Sequence, residues 1–254
     1  GVPSAPAPPQ SGPDVDRTLS PSDTMYTGNP DHYFGVGASA LGAIRLALGS
    51  AGLERPTRVL DYACGHGRVL RWIRAAFPEA ALVACDLDRA GVDFCATTFG
   101  AAPVYGDEDP GRVDVAGPFD LIWSGSLLTH LPERLWAPTL TRWSGLLSEG
   151  GVLVFTTHGR RMTYRLRHDD VYGQPPEADR QLLDGYAQAG FGYVDYPGED
   201  GYGLSVSSPA WVVRFLASRT ELRLVFFAEA AWDGHQDVAA CVRDAHRQLL
   251  EPGA

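Results

Sequence analysis

Apolar residues along the chain alternate between helical spacing and short continuous runs. Leu41, Ile44 and Leu48 recur at intervals of three and four, which predicts a helix over residues 38–48. The run at 58–61 predicts a buried strand that ends in an acid. The alternation continues with predicted helices at 67–77, 89–99 and 133–147 and predicted strands at 81–85, 103–105, 119–123 and 151–157.

This order of elements predicts the fold class. Strands that follow one another through intervening helices need crossover connections, which favours a Rossmann-like, doubly wound α/β fold. Its sheet would be mostly parallel, with an antiparallel C-terminal strand and helices on both faces. After residue 157 the chain becomes loop-rich and aromatic until about 207, and a helix at 210–217 and strands at 222–227 and 238–242 follow.

The same pattern suggests the domain organisation. Residues 1–20 are rich in Pro and poor in large apolar side chains, so we expect a disordered tail that contributes nothing to the core. Residues 21–254 would form a single domain. Within it, 160–207 would be an aromatic- and Arg-rich insertion that binds substrate or acts as a lid.

Composition narrows the function classes. The formal net charge of −10 disfavours a phosphate backbone, so no nucleic-acid partner is expected. All 21 basic residues are Arg, which excludes a pyridoxal-phosphate Schiff base and a Walker lysine. The four cysteines form no CxxC pair, which indicates reduced thiols, a cytoplasmic protein and no zinc site. No apolar run reaches the roughly 18–20 residues of a membrane span, so no membrane partner is expected, and a homodimer is left open.

Polar residues follow the ends of successive predicted strands. Asp61 ends the first strand, and Gly65 and Gly67 in the next turn let a ligand approach the backbone at a helix start. Asp86 follows the second strand at a distance that suits both hydroxyls of a ribose. Asp107 follows the third strand, where it could accept from an adenine amino group. Ligands of such sheets bind beyond the carboxyl ends of the strands, so these residues predict one cofactor crevice.

The turn after the first strand distinguishes between two cofactors. A carboxylate at Asp61 suits the ammonium of a methionine moiety and would repel a dinucleotide pyrophosphate. The turn also lacks the third glycine of the dinucleotide fingerprint, because Arg68, Val69 and Leu70 follow Gly67. An NAD-dependent dehydrogenase is therefore the weaker alternative.

Five features together resemble the class I S-adenosylmethionine-dependent methyltransferases over about residues 31–158. They are the glycine turn from Asp61, the acids Asp86 and Asp107, the strand Phe119-Asp120-Leu121-Ile122 and the turn Leu147-Ser148-Glu149-Gly150-Gly151. The resemblance implies S-adenosyl-L-methionine as cofactor, methyltransferase activity, and a glycine turn that holds the methionyl part of the cofactor. It implies ribose binding at Asp86 and adenine binding at Asp107.

The sequence departs from the family pattern at two places. Ala63 stands where the family usually has its first glycine, and Ser148-Glu149 replaces the usual Lys-Pro. The expected cofactor contacts come from the crevice residues Asp61, Ala63, Cys64, Gly65, Gly67, Arg68, Asp86, Leu87, Asp107, Glu108, Ser124 and Tyr33. For Tyr33 a plain packing role is an equal alternative to closing over the cofactor.

Four short motifs are similar to those of a bacterial methyltransferase subgroup often encoded near glycosyltransferases. They are Cys64-Gly65-His66-Gly67-Arg68, Gly125-Ser126-Leu127-Leu128-Thr129-His130-Leu131, Thr156-Thr157-His158-Gly159 and Trp232-Asp233-Gly234-His235-Gln236-Asp237. No common acceptor follows from this resemblance. The expected acceptor is a small molecule or a carbohydrate unit.

Two histidines are the candidates for a general base. His130 follows the fourth strand and His158 the fifth, so both could face the acceptor and deprotonate a hydroxyl. The sequence therefore predicts methylation at oxygen, while each histidine could equally serve a structural role. The alternatives are methyl transfer to nitrogen or sulfur by proximity alone and a non-catalytic cofactor-binding or scaffold protein. No metal-ligand spacing occurs around the histidines, so no metal is expected.

The region after His158 carries a second candidate feature. An arginine cluster beside the pocket (Arg160, Arg161, Arg165 and Arg167) could recognise phosphate or carboxylate. The alternative is a solvated loop paired with Asp169 and Asp170, which the sequence favours. Six of the ten tyrosines also fall between 160 and 205 and suit either a sugar-binding surface or lid packing: Tyr164, Tyr172, Tyr186, Tyr193, Tyr196 and Tyr202.

Overall fold

The computed structural model describes residues 13–109, 112–169 and 172–244. A seven-stranded sheet forms the centre in the order β3-β2-β1-β4-β5-β9-β8. The first five strands in chain order pair in parallel, and β9 is antiparallel to both β5 and β8. The strands are β1 (Arg58–Tyr62), β2 (Ala81–Asp86), β3 (Ala102–Tyr105), β4 (Phe119–Ser124), β5 (Leu147–Thr157), β8 (Leu222–Trp232) and β9 (Gln236–Arg243). The predicted Rossmann-like fold with a mostly parallel sheet is confirmed.

Helices cover both faces of the sheet because alternate strand residues point to opposite sides. One face packs on α1 (Pro30–Ala51), α2 (Leu70–Ala76) and α3 (Arg89–Phe99), and Val59 of β1 lies in that core. The other face packs on α4 (Glu133–Leu146) and α7 (Pro209–Ala217), and Leu60, the next residue of β1, lies there. The carboxyl ends of β1, β2 and β4 therefore share one edge of a sheet that is buried on both sides.

Helix α1 starts eight residues earlier than its apolar spacing predicts. Asn29 caps the helix by accepting from the backbone N–H of His32, and Pro30 occupies the first turn, where its missing N–H costs nothing. The apolar pattern misses this turn because its signal is a cap and a proline rather than a hydrophobic stripe.

Helix α1 is also long and apolar enough, by length and composition, to cross a membrane. Half of the relevant segment is buried inside the protein, including Leu41, Ile44 and Leu48. The sequence criterion was an uninterrupted apolar run, and α1 is not one, because Asp31 and Arg45 interrupt it.

Residues 160–207 contain regular structure where the sequence suggested mainly loops. Two helices, α5 (Arg160–His168) and α6 (Pro176–Ala189), precede an antiparallel two-stranded sheet of β6 (Phe191–Asp195) and β7 (Gly203–Ser207). These elements share a small core of their own, with Met162, Leu182 and Leu204 at its centre. Each element contributes too few buried residues to this core for a periodic apolar pattern to be visible in the sequence.

The segment before α1 packs on the domain from residue 15 onward. Val15 is only 8% exposed and joins a cluster with Tyr33 and Phe34. The buried Arg71 of α2 donates from Nη1 to the backbone oxygens of Asp16 (3.0 Å) and Thr18 (2.9 Å). This part of the chain differs from the expected non-contributing tail, because an internal arginine obtains its acceptors there. Residues 1–12 of that expected tail lie outside the described residues.

Candidate active site

The glycine turn after β1 is built from a run of left-handed residues. Gly65 and Gly67 have φ angles of +49° and +73°, and a Cβ on Gly67 would lie 2.5 Å from the ring of Phe99. Ala63 also adopts a left-handed conformation, with φ of +68°. The alanine that replaces the family's glycine therefore keeps the glycine-like backbone, at a cost of about 1–2 kcal/mol.

Asp61 lies beneath this turn as a buried, partly unpaired carboxyl group. It is 1% exposed, and its Oδ2 atom has no hydrogen-bond partner within the described part of the chain. Burial raises the pKa of Asp61 to about 8, and the negative charge of Asp86 adds to this effect. A buried acceptor without a donor is costly, so this atom indicates a site for a cationic or N–H-bearing ligand group.

Asp86 closes β2 and faces the same turn. Its Oδ2 accepts from the backbone N–H of Gly65 at 2.7 Å, and its Oδ1 accepts from that of Asp88 at 2.9 Å. Each carboxylate oxygen has a second lone pair, so the side chain can still accept from two hydroxyl groups. Asp86, the acid predicted to bind the ribose, thus lies next to the glycine turn and stabilises it through the hydrogen bond from Gly65.

Three of the predicted cofactor contacts, including the acid predicted for the adenine, are exposed at the mouth of the crevice. Asp107 and Glu108 follow β3 and are exposed, and the Oδ1 atom of Asp107 accepts from the backbone N–H of Asp109. Leu87 is 58% exposed, which is unusual for a leucine directly after a buried strand. Burial raises the pKa of the Tyr62 hydroxyl, and the charges of Asp107 and Asp86 contribute, which places both acids around this side chain.

Three of the predicted cofactor contacts have their side chains elsewhere. Tyr33 is 1% exposed and donates from its hydroxyl to Oδ2 of Asp23 at 2.5 Å, so it takes the packing role that was the alternative. Cys64 is buried and its Sγ donates to the backbone oxygen of Gly65, which leaves only its backbone for a ligand. Arg68 lies 5.9 Å from the Trp232 ring centre, and burial lowers the pKa of its guanidinium.

Ser124, at the end of β4, is buried with an unpartnered Oγ, as a residue lining the crevice would be. Next to it lies a polar network that the sequence did not predict. Thr156 donates to Oε1 of Gln236 at 2.6 Å and accepts from the Ser126 backbone N–H at 2.7 Å. Gln236 in turn donates to Oγ of Ser126 at 3.0 Å. This network fixes the loop that leads to His130, and its only sequence signal was the Gln-Asp pair of the last motif.

His130 ends a 3₁₀ turn (Leu128–His130) after β4 and is held from the insertion. Its Nδ1 lies 2.9 Å from the backbone oxygen of Gly203, the first residue of β7. The Tyr196 hydroxyl lies 3.1 Å from the same nitrogen. A carbonyl oxygen can only accept, so we assign the proton to Nδ1, where the Tyr196 oxygen can share it as a second acceptor, and the neutral ring then has its lone pair on Nε2. Burial lowers the pKa of His130, which keeps the ring neutral, and no partner for Nε2 is found among the described residues.

His158 directly follows β5 and has both nitrogens engaged. It is 1% exposed, its Nδ1 donates to the backbone oxygen of Ser205 at 3.3 Å, and its Nε2 lies 3.5 Å from the hydroxyl of Tyr172. Burial lowers the pKa of His158 well below its usual value, and the nearby His235 adds to this effect. His158 is thus the more enclosed of the two candidate bases.

Tyr172 and His235 extend this arrangement to Arg165. The Tyr172 hydroxyl lies 3.4 Å from Nε2 of His235, and Nη1 of Arg165 lies 3.5 Å from Nδ1 of the same ring. Because a guanidinium can only donate, His235 carries its proton on Nε2 and can pass a hydrogen bond to Tyr172. In this series of long contacts, each group donates to the next one, from Arg165 through His235 and Tyr172 to His158. The ring of His235 lies 5.3 Å from that of His158, which brings the last motif to the site.

The insertion connects the histidines to the acidic half of the crevice. The ring of Tyr202 lies 5.2 Å from that of His130, and the rings of His130 and His158 are 6.5 Å apart. Burial raises the pKa of Tyr202, and the charge of Asp86 adds to this effect, so Tyr202 stands between both regions. The predicted cofactor residues and the predicted bases therefore border one crevice.

Asp237 is a further buried acid at this edge of the sheet. It accepts from the Ala230 backbone N–H at 2.8 Å, its Oδ2 has no partner in the described structure, and burial raises its pKa to about 6. A Cβ on Gly159 would lie 1.9 Å from Oδ2, so only glycine allows this approach. Within the described ranges, no group of three or more His, Cys, Asp or Glu residues could hold a metal ion.

The sequence is similar to known methyltransferases. A family model described as a methyltransferase domain matches residues 59–151, from β1 to the start of the buried part of β5. The chain is 28% identical over 145 residues to a trans-aconitate 2-methyltransferase of Streptomyces avermitilis, which covers 47% of this chain and 53% of that protein. It is 30% identical over 151 residues to a malonyl-[acyl-carrier protein] O-methyltransferase of Herminiimonas arsenicoxydans, covering 56% and 55%. The chain thus spans about half the length of the curated relatives it matches.

A solved structure supports the fold over most of the chain. An S-adenosylmethionine-dependent methyltransferase from Clostridium acetobutylicum superimposes with a TM-score of 0.56 at 14% identity. The match covers 82% of this chain and 92% of the other. At this identity the likeness concerns the fold alone, and it includes the sheet that carries the crevice.

Proposed function

Because the chain belongs to the class I S-adenosylmethionine-dependent methyltransferase family, we propose that it transfers the methyl group of this cofactor to an oxygen atom of a small molecule or carbohydrate unit. The names of the two curated relatives support a small acceptor group, since one refers to trans-aconitate and the other to a malonyl group on an acyl-carrier protein. The insertion over 160–207 is the proposed acceptor-binding part, because it supplies Gly203 and Tyr202 to the surroundings of His130.

The donor half of the crevice fits the cofactor chemically. The unpaired Oδ2 of Asp61 would accept from the ammonium of the methionine moiety, and the left-handed turn leaves the backbone at Gly65 open to it. Asp86 would hold the ribose hydroxyls, and the exposed face of Leu87 would pack on the adenine. Asp107 would accept from the adenine amino group. When bound, the cofactor supplies an electrophilic methyl group on a positively charged sulfur.

The single observation that carries the oxygen assignment is the free Nε2 of His130. Gly203 fixes the proton on Nδ1, and burial keeps the ring neutral, so Nε2 is ready to accept a proton. His130 would take the acceptor's hydroxyl proton as the new carbon–oxygen bond forms and the carbon–sulfur bond breaks. His158 would position the acceptor instead, since Tyr172 already occupies its Nε2.

Replacement of each histidine by glutamine tests this assignment. His130→Gln should lower turnover on a hydroxyl-bearing acceptor by roughly 10²–10⁴, because a general base contributes about that much. The acidic limb of the pH–rate profile should disappear in this variant only. His158→Gln, the matched control, should keep that limb and mainly raise KM. Mass-spectrometric detection of S-adenosylhomocysteine would measure turnover, and calorimetry would show that both variants still bind it.

The outcomes also separate the alternatives. Near-normal rates and an unaltered pH profile in both variants would contradict methylation of a hydroxyl group and favour an acceptor that is already nucleophilic, such as a carboxylate, an amine or a thiol. Loss of the acidic limb in His158→Gln alone would reverse the roles of the two histidines. Binding of S-adenosylhomocysteine without turnover on hydroxyl, amine and thiol acceptors would favour a non-catalytic binding protein.

A further inference from the structure

We infer that α5 and His235 form an anion-binding subsite of the acceptor crevice, and that the acceptor carries a carboxylate or phosphate group that binds at Arg165 and Arg161. This inference rests on the proposed function, because it names the class of molecule that the methyl group would be transferred to. The two arginines are four residues apart on α5, so they lie on one face of the helix.

Contacts and electrostatics place both arginines beside His235. Nη1 of Arg165 lies 3.5 Å from Nδ1 of His235. After burial, the positive charge of Arg165 is the largest cause of the lowered pKa of His235, and Arg161 contributes as well. Arg165 also lowers the pKa of His158. Arg165 therefore has a geometric contact with the His235 ring, while Arg161 adds positive charge from the same face of α5.

The neighbouring acids offset this positive charge in part, since the charge of Asp233 opposes the arginines in its effect on the pKa of His235. Arg165 has one carboxylate contact, from Nε to the half-exposed Asp169 at 3.4 Å. Arg161 has no carboxylate partner within the described ranges and packs over the ring of Tyr164. Arg160, by contrast, is paired with Glu229 at 2.9 Å, so we do not include it in the subsite.

The two halves of the crevice therefore differ in charge within a chain of net charge −10. The donor half carries Asp61 and Asp86, which suit a cationic cofactor. The acceptor half carries neutral histidines and ends at Arg165, without a carboxylate among the residues that contact His130 or His158. A neutral sugar or aromatic ring would need no such charge, whereas an anionic acceptor would gain both steering and charge-assisted hydrogen bonds from it.

The spacing of the rings indicates how far the anion would be from the methylated atom. The ring centres of His130 and His158 are 6.5 Å apart, and those of His158 and His235 are 5.3 Å apart. Ring contacts therefore connect His130 through His158 to His235, and an anion at Arg165 would bind at the far end of this series. The expected acceptor has its acidic group several bonds away from its hydroxyl, as a sugar phosphate or a hydroxylated aromatic acid does.

Calorimetric titration of the protein saturated with S-adenosylhomocysteine tests this subsite. The probes are glucose 6-phosphate, the hydroxylated aromatic acid 4-hydroxyphenylacetate, and glucose as the neutral counterpart, each up to about 10 mM. We expect at least one anion to bind at least about tenfold more tightly than glucose, and to weaken with salt. Whether the phosphate or the carboxylate binds more tightly identifies the chemical source of the anionic group.

Matched arginine variants make the test specific. Arg165→Gln should weaken anion binding by at least about tenfold and Arg161→Gln by less, because only Arg165 contacts His235. Arg167→Gln, on the exposed side of the same helix, should change it by less than about twofold. Equal losses in the Arg165 and Arg167 variants, or no anion binding tighter than glucose, would overturn the inference. Failure of S-adenosylhomocysteine to bind at all would instead contradict the proposed function.

Discussion

Binding of the cofactor's methionine moiety should release a proton below pH 8, because Asp61 must ionise to hold an ammonium group. Burial raises the pKa of this carboxyl to about 8, and the charge of Asp86 adds to the effect. Between about pH 5.5 and 7 the free protein therefore holds a proton on Asp61. An ordinary α-amino group, with a pKa of about 7.7–8.0, is still cationic in this range.

The size of the effect follows from the displaced pKa. Each pH unit below the pKa of Asp61 reduces the ionised fraction about tenfold, which corresponds to 1.36 kcal/mol of binding free energy. The affinity for S-adenosylhomocysteine should therefore rise about tenfold between about pH 6 and pH 7. It should level off near pH 8, where Asp61 is half ionised and the ligand's amino group begins to lose its own charge.

Isothermal titration at about pH 6.5 in two buffers with different ionisation enthalpies gives the number of protons released. The wild-type protein should release close to one proton per ligand, and Asp61→Asn close to none. Asp107→Asn is the matched control, because this acid borders the same crevice but is exposed, and it should still release about one. Binding without proton release in the wild type, or equal release in Asp61→Asn, would refute the reasoning.

The same pKa shift sets the sign of the pH dependence of stability. An unfolded aspartate ionises near 3.8 and the folded Asp61 near 8, so the folded, ligand-free protein binds the extra proton in between. The contribution of Asp61 to the free energy of unfolding is fully present below about pH 4 and is lost as the pH rises to 8. Asp61→Asn should remove this decline, which denaturant titrations at several pH values would measure.

The structure supports three further predictions. Asp86→Ala should weaken S-adenosylhomocysteine binding at least about tenfold in calorimetry and also lower stability by about 1–3 kcal/mol, because the backbone N–H groups of Gly65 and Asp88 lose their acceptor. Unchanged affinity would move the ribose site elsewhere. Deletion of residues 1–20 should lower the melting temperature by roughly 4–8 °C, since about 2 kcal/mol is lost with the burial of Val15 and two acceptors of Arg71. A shift below about 1 °C would contradict that packing. Ala63→Gly should raise the free energy of unfolding by up to about 1 kcal/mol in denaturant titrations by relieving the left-handed φ, whereas the same change at Ala96, within α3, should lower it.

The central sheet was predictable because local patterns determine it. Helices α2, α3 and α4 lie between β1 and β2, between β2 and β3, and between β4 and β5, and crossover geometry then leaves few arrangements of such a chain. The acids Asp61 and Asp86 were predictable for the same reason, since the end of a parallel strand fixes where the next residue points. The boundaries were less accurate: α2 is shorter than its apolar spacing suggests because the turn through Gly67 extends to Val69.

The acceptor half of the crevice could not be read from the sequence, because its contacts join distant residues. His130 is held by Gly203, which lies 73 residues later, and His158 by Ser205, 47 residues later. Both carbonyls belong to β7, whose position depends on the small core of the insertion and not on any local motif. The packing of the segment around Val15 was missed for a similar reason, since its partner Arg71 lies more than 50 residues away.

Burial moves the pKa of Asp61 upward and that of His130 downward, so both groups are neutral in the free protein near pH 7. The two shifts have complementary consequences for a methyl transfer from a cation. Ionised Asp61 compensates the ammonium at one end of the crevice. At the other end, under the proposed function, the site would lose one positive charge at the sulfur as the carbon–sulfur bond breaks, and would gain one as His130 takes the hydroxyl proton. The positive charge would therefore move from the sulfur to the imidazole, and no new pair of opposite charges would form in the low-dielectric site. A base that was already protonated could not take up this proton, and a free carboxylate in the place of His130 would be neutralised in the same step.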